Sequence, residues 1–173
     1  MAGEEIGEGA PLPAFRFPVF GFQCDGGMHI FTRASGFDGC PASHVKSRCY
    51  EQMRLLDDAG RNWRVLRVRE LPRARGLWVR LRDRLRGDRY CPVAYDLVEE
   101  PGALSLDEAK QLVCAVIDEN PFAWTTKAFA RGEGPEPDLE LLINRLKARI
   151  RQARSPAAML EAMNAAFDEP KFT

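Results

Sequence analysis

Little in this chain of 173 residues invites a reaction mechanism. It has two histidines and five cysteines, and no Cys-x-x-Cys knuckle, the strongest sequence mark of structural zinc. Gly-x-Ser-x-Gly, a glycine-rich phosphate loop and His-Glu-x-x-His are all missing, so the familiar hydrolase, nucleotide and metalloprotease signatures are excluded. Paired acids such as Glu99-Glu100 and Asp118-Glu119 fall at element ends, where solvation explains them. The expectation is a protein that is not an enzyme and has no cofactor. No apolar run approaches the roughly 18 residues of a spanning helix. The first residues, "MAGEEIGEGAPLP", are acidic and lack a basic segment followed by an apolar one, which argues against a secretory signal. A cytoplasmic protein with no membrane partner is expected. An odd number of cysteines at irregular spacings disfavours a disulfide framework. Cys91 and Cys114 sit in apolar surroundings and are predicted as small buried hydrophobes.

What the chain does contain is enough apolar sequence, 45% of residues, to bury a core. "FRFPVFGFQ", "DGG" and "MHIFT" predict a first β-hairpin. "YEQMRLLDDAGRNWRVLRVREL" predicts a second, and the break in alternation at Val65-Leu66 suggests a bulge or burial on both sides. Leu77, Trp78, Leu81 and Leu85 fall on one face of a helix ended by Gly87. Val93, Tyr95 and Leu97 alternate as a later strand. Ser105 and Glu108 form a capping box that opens a helix with Leu106, Ala109, Leu112, Val113, Val116 and Ile117 as its apolar stripe. A loop anchored by Phe122, Trp124 and Phe129 leads to a helix over 138–151, and Ser155-Pro156 opens the last one, with Met159, Leu160, Met163 and Phe167 inward.

Strands come early and helices late. The predicted class is α+β: an antiparallel sheet of about five strands, from two N-terminal hairpins plus one later strand, with helices on one face and a helical C-terminal region. The predicted organisation is a disordered tail over 1–13, an α+β domain over 14–130, and a C-terminal helical pair over 131–173 that packs on or extends that domain.

Charge is the strongest compositional signal. The formal net is zero, yet residues 61–89 hold eleven arginines against three acids, and residues 90–143 hold eleven acids against three bases. Segregated charge steers association, and a dipolar domain without a catalytic set fits a protein-binding module. The expected function is inhibitory: an immunity-type protein that neutralises a cognate bacterial toxin by electrostatic and steric occlusion. Its candidate contact residues are Glu99, Glu100, Asp118, Glu119, Glu133, Glu136, Asp138 and Glu140. The alternative is a nucleic-acid-binding module that grips phosphates with Arg64, Arg67, Arg69, Arg73, Arg75, Arg80, Arg82, Arg84 and Arg86, with Trp63 and Trp78 stacking on bases if exposed. Both tryptophans fall on apolar faces, which favours the core for them.

A third reading concerns "GCPASHVKSRC", residues 39–49. If the first hairpin turns on Asp25-Gly26, Phe22 faces His29, and Cys24 and His29 share a sheet face with Phe20, Phe22 and Phe31. If residues 41–49 are helical from Pro41, Cys40 and His44 are neighbours at i and i+4. Cys24, His29, Cys40 and His44 then make a tetrahedral zinc set in that one register. The competing reading is a histidine buried among aromatics, with 39–49 a connector between hairpins. A thiol nucleophile, Cys40 or Cys49 with His44 as base, lacks any sign of an oxyanion site.

Overall fold

The computed structural model describes residues 12–71, 90–121 and 139–165. The fold is α+β, built on a six-stranded antiparallel sheet. In chain order the strands are β1 (Val19–Phe22), β2 (Met28–Phe31), β3 (Gly39–Pro41), β4 (Arg54–Asp57), β5 (Asn62–Glu70) and β6 (Tyr90–Glu99). The helices are α1 (Ala42–Ser47), α2 (Leu106–Glu119), α3 (Leu139–Gln152) and α4 (Pro156–Ala165). The spatial order is β2-β1-β4-β5-β6-β3.

The two edge strands, β2 and β3, are joined by a short connection whose middle is a 3-10 turn over Ala34–Phe37. That link curls the sheet, because a strand at one edge must feed the strand at the other within a few residues. Phe37 closes the curl. Its ring stacks on Phe31 of β2 at 4.0 Å and meets Tyr95 of β6 edge-on at 5.3 Å.

Strand periodicity then sorts side chains between two cores. Val19, Phe31, Leu55, Trp63, Val65, Cys91, Val93 and Tyr95 fill the inside of the curl together with Met53 and Tyr50. Phe20, Phe22 and Leu56 point the other way, into a second cluster with Leu104, Val113, Ile117, Ile150, Met159 and Met163 from the loop and helices. The all-buried run "VFGF" of β1 is the result of burial on both sides. Helices α2, α3 and α4 cover one outer face, and the C-terminal pair shares that cluster with the sheet.

Local signals explain the element ends. The Ser105–Glu108 capping box is present in both directions, with Ser105 Oγ accepting from Glu108 N at 3.2 Å and Glu108 Oε2 accepting from Ser105 N at 2.7 Å. Ser105 thereby holds the Glu108 carboxyl below its ordinary range. Ser155 Oγ accepts from Ala158 N and caps α4. The β5–β6 ladder shifts register between Val65 and Arg67, a bulge that turns Leu66 outward. Pro92 has no N–H to return to Leu71, whose own N–H donates to Pro92 O, and β5 ends there. Asp57 is fully buried at the β4–β5 turn and accepts from Arg16 N, Ala59 N and Arg61 N, and from the Arg61 guanidinium.

Two expectations need correction. The described residues hold six strands where about five were expected: residues 39–41 form β3 against β6, because Gly39 permits a close approach that a side chain would block. A Cβ on Gly39 would lie 2.5 Å from the Tyr90 ring and 2.8 Å from Cys91 O. The connector helix accordingly starts at Ala42 rather than Pro41. The helix expected around Leu77–Leu85 and the loop with Phe122, Trp124 and Phe129 lie outside the described residues. No helix among the described residues is long and apolar enough to cross a membrane.

Candidate functional site

Three places carry charge or reactive groups. The first is the 24–49 cluster. The first hairpin pairs Phe22 with Met28 and Gly21 with His29, one residue away from the expected register. Gln23 N–H donates to Gly27 O, so the turn takes in residues 23–27 rather than closing tightly on Asp25-Gly26. A one-residue slip moves side chains to the opposite face. His29 therefore points into the curl with Phe31, while Phe20 and Phe22 point to the helices.

The expected zinc quartet is dispersed in consequence. Cys24 is exposed at the turn, its thiol 3.7 Å from Gln52 O. Cys40 is buried in β3 opposite Cys91, and because it belongs to a strand the i, i+4 relation to His44 does not exist. Among the described residues, no group of three or more His, Cys, Asp or Glu side chains is placed to hold a metal ion.

What does converge is His29, His44 and Tyr50. His44 Nδ1 lies 2.9 Å from Tyr50 Oη in a hydrogen bond, and the His29 ring meets Tyr50 edge-on at 4.8 Å and His44 at 6.2 Å. Burial, helped by neighbouring His44 and opposed by Asp25, pushes the His29 pKa below its ordinary value. Burial likewise pushes the Tyr50 and Tyr95 phenols up, so both stay neutral. Cys49 Sγ donates to His44 O at 3.6 Å, so that thiol faces the His44 backbone carbonyl. Tyr50 was not legible as a member of this group. It joins because Arg48 adopts a left-handed conformation (φ 58°) that ends α1 and folds residue 50 back under residue 44.

The second place is the arginine band. Arg64 pairs with Glu100 and Arg69 with Asp96, the latter through two hydrogen bonds at 3.1 and 2.8 Å. Arg61 is engaged by Asp57 and lies over Trp63 at 5.1 Å. Trp63 is buried against Phe15, as its apolar pattern implied. Arg67 is exposed on β5. Arg73, Arg75, Arg80, Arg82, Arg84, Arg86 and Trp78 lie outside the described residues.

The third place is acidic. Glu99 ends β6 and Glu100 follows it, just before the turn that opens α2, whereas Asp118 and Glu119 end α2. A helix of this length separates them by about 20 Å, so the candidate acids form two groups. Glu100 is held by Arg64, and Lys147 donates to both Asp118 oxygens at 2.7 Å. Glu119 lies against the β1–β2 turn: its Oε2 is 3.5 Å from where a Cβ on Gly26 would sit, next to Asp25. Cys114 is near both Lys147 and Arg151, which runs α3 antiparallel to α2 and carries Glu140 roughly 10 Å further in the Glu119 direction. Glu133, Glu136 and Asp138 lie outside the described residues.

A curled antiparallel sheet with a helical layer, a titratable interior and an acidic end defines an α+β protein whose accessible charge is organised by its helices. No protein-family model, curated protein or solved structure matches the chain.

Proposed function

We propose that this protein works by binding another protein through the acidic end where α2 meets the β1–β2 turn, and that the partner's contact surface is basic. The observation that carries the reading is the C-terminus of α2. Its last turn contains Asp118 and Glu119 and no basic residue, and Glu119 lies against Gly26 of the β1–β2 turn. A helix C-terminus is the negative end of the macrodipole, so carboxylates there oppose folding. Lys147 answers Asp118, while Glu119 has no counter-ion among the described residues. A basic partner surface supplies what the fold leaves unbalanced, and complementary charge raises the association rate and rejects wrong partners.

The finer reading is an immunity-type inhibitor, which occludes the basic groove of a toxin such as a nuclease. Of the expected contact residues, Asp118 and Glu119 lie at this end and Glu140 about 10 Å beyond it along α3, while Glu99 and Glu100 belong to the other group. The test is capture by the tagged chain after nuclease treatment, across a salt series. The expected result is one basic protein in stoichiometric amount, released by salt and lost with Glu119→Lys, whose co-expression with this chain restores growth to cells it otherwise poisons. Recovery of nucleic acid alone, or a partner retained equally by Glu119→Lys, overturns the reading.

A further inference from the structure

We infer that Cys40 and Cys91 are a redox-sensitive pair, able to form a reversible disulfide that staples the edge strand β3 to β6. The two residues are direct cross-strand partners. Val93 N–H donates to Asp38 O at 3.2 Å, which sets the phase of the ladder and makes Cys40 and Cys91, two residues along, a hydrogen-bonded pair as well. Such pairs have Cα atoms about 5.5 Å apart. That lies inside the range of about 4.4–6.8 Å that a disulfide bridges. Both side chains point into the same interior cluster, and the Cys91 thiol already donates to Cys40 O at 3.4 Å. Both residues are thiols in this structure.

Access comes from the edge. β3 has three residues and a neighbour on one side only, so it opens locally at lower cost than the central strands. Glutathione disulfide is the oxidant. One protein thiolate attacks it and expels one glutathione thiolate. The second protein thiolate then attacks the protein sulfur of the mixed disulfide and expels the other. The two thiol protons end on two molecules of reduced glutathione, so the exchange balances. The product closes a loop from β3 to β6 and fixes α1, which starts two residues after Cys40 and carries His44.

The native protein is incubated with glutathione disulfide, denatured in alkylating reagent and mapped by peptide mass without reduction. The expected product is a Cys40–Cys91 linked peptide, retained when Cys24 and Cys49 are both replaced by serine. It brings a thermal midpoint several degrees higher, which dithiothreitol reverses. Gly39→Ala keeps both cysteines but forces β3 away from Tyr90 and Cys91, so most of the cross-link is lost. Recovery of Cys40 and Cys91 from wild type as alkylated thiols, as separate glutathione adducts, or linked to Cys24 or Cys49 overturns the inference.

Discussion

The inside of the curled sheet and its helix-covered outer face are made by alternate residues of the same strands, yet they differ in chemistry. The outer cluster is aliphatic, phenylalanine and methionine, with Cys114 as a small apolar filler. The inner one mixes Phe31, Phe37 and Val65 with Trp63, Tyr50 and Tyr95, and reaches His29 and His44 at its margin. The outer face holds helices to sheet by burial and by a hydrogen bond from Ala157 N–H of α4 to Asp58 Oδ1, just after β4, at 2.8 Å. The inner face additionally fixes hydrogen-bonding partners and contains His29, whose pKa is lowered by burial. Stability is therefore expected to respond to pH through the inside and to side-chain volume through both.

Large truncations break each side separately. Phe37→Ala removes the ring that stacks between Phe31 and Phe15 and meets Tyr95, and should cost about 3–5 kcal/mol in denaturant unfolding. Ile150→Ala, on the helix side, should cost about 2–5 kcal/mol by the same measurement. Only Phe37→Ala should also release β3, seen as faster hydrogen exchange there. Asp57→Ala leaves the Arg61 guanidinium and three backbone N–H groups without their acceptor at a fully buried site, with an expected loss of about 3–5 kcal/mol.

Smaller effects sharpen the contrast. The His29 pKa is lowered in the folded state, so the folded protein resists a proton that the unfolded chain accepts below about pH 6.5. Above that pH both states are neutral at this residue and it contributes no slope. As pH falls below it, stability is lost until the folded-state pKa is passed. Thermal midpoints between neutral pH and pH 5 should fall more for wild type than for His29→Gln; equal slopes would remove His29 as the cause. Ser105→Ala, on the helix side, removes one half of the capping box and should cost about 1 kcal/mol. That cost should not depend on pH across the histidine range.

The helical half was legible because its signals are local. Ser105 and Glu108, Ser155-Pro156 and the stripe ending at Ile117 each act within a few residues of chain, and the structure places them as read. The second hairpin and its bulge were legible for the same reason. The interior was not. A one-residue difference in the β1–β2 turn set His29 and Phe31 opposite Gly21 and Val19 rather than on one face with Phe20 and Phe22, and periodicity gives no register without the turn. β3 depends on Tyr90 and Cys91, some fifty residues away, and no neighbour of Gly39 announces them. The acidic candidates were legible as a composition but not as two groups, because only the direction of α2 separates Glu100 from Glu119.

The central claim, that the acidic end is kept for a partner at the expense of the fold, is tested most directly on Glu119→Gln. The substitution removes a carboxylate from the negative end of α2, where it lies against Gly26 of the β1–β2 turn. The account predicts opposite changes in the two readouts of one variant: a slightly higher thermal midpoint for the purified chain and weaker, less salt-dependent capture of the basic partner. A variant that is less stable than wild type, or that binds with unchanged affinity and salt dependence, contradicts it.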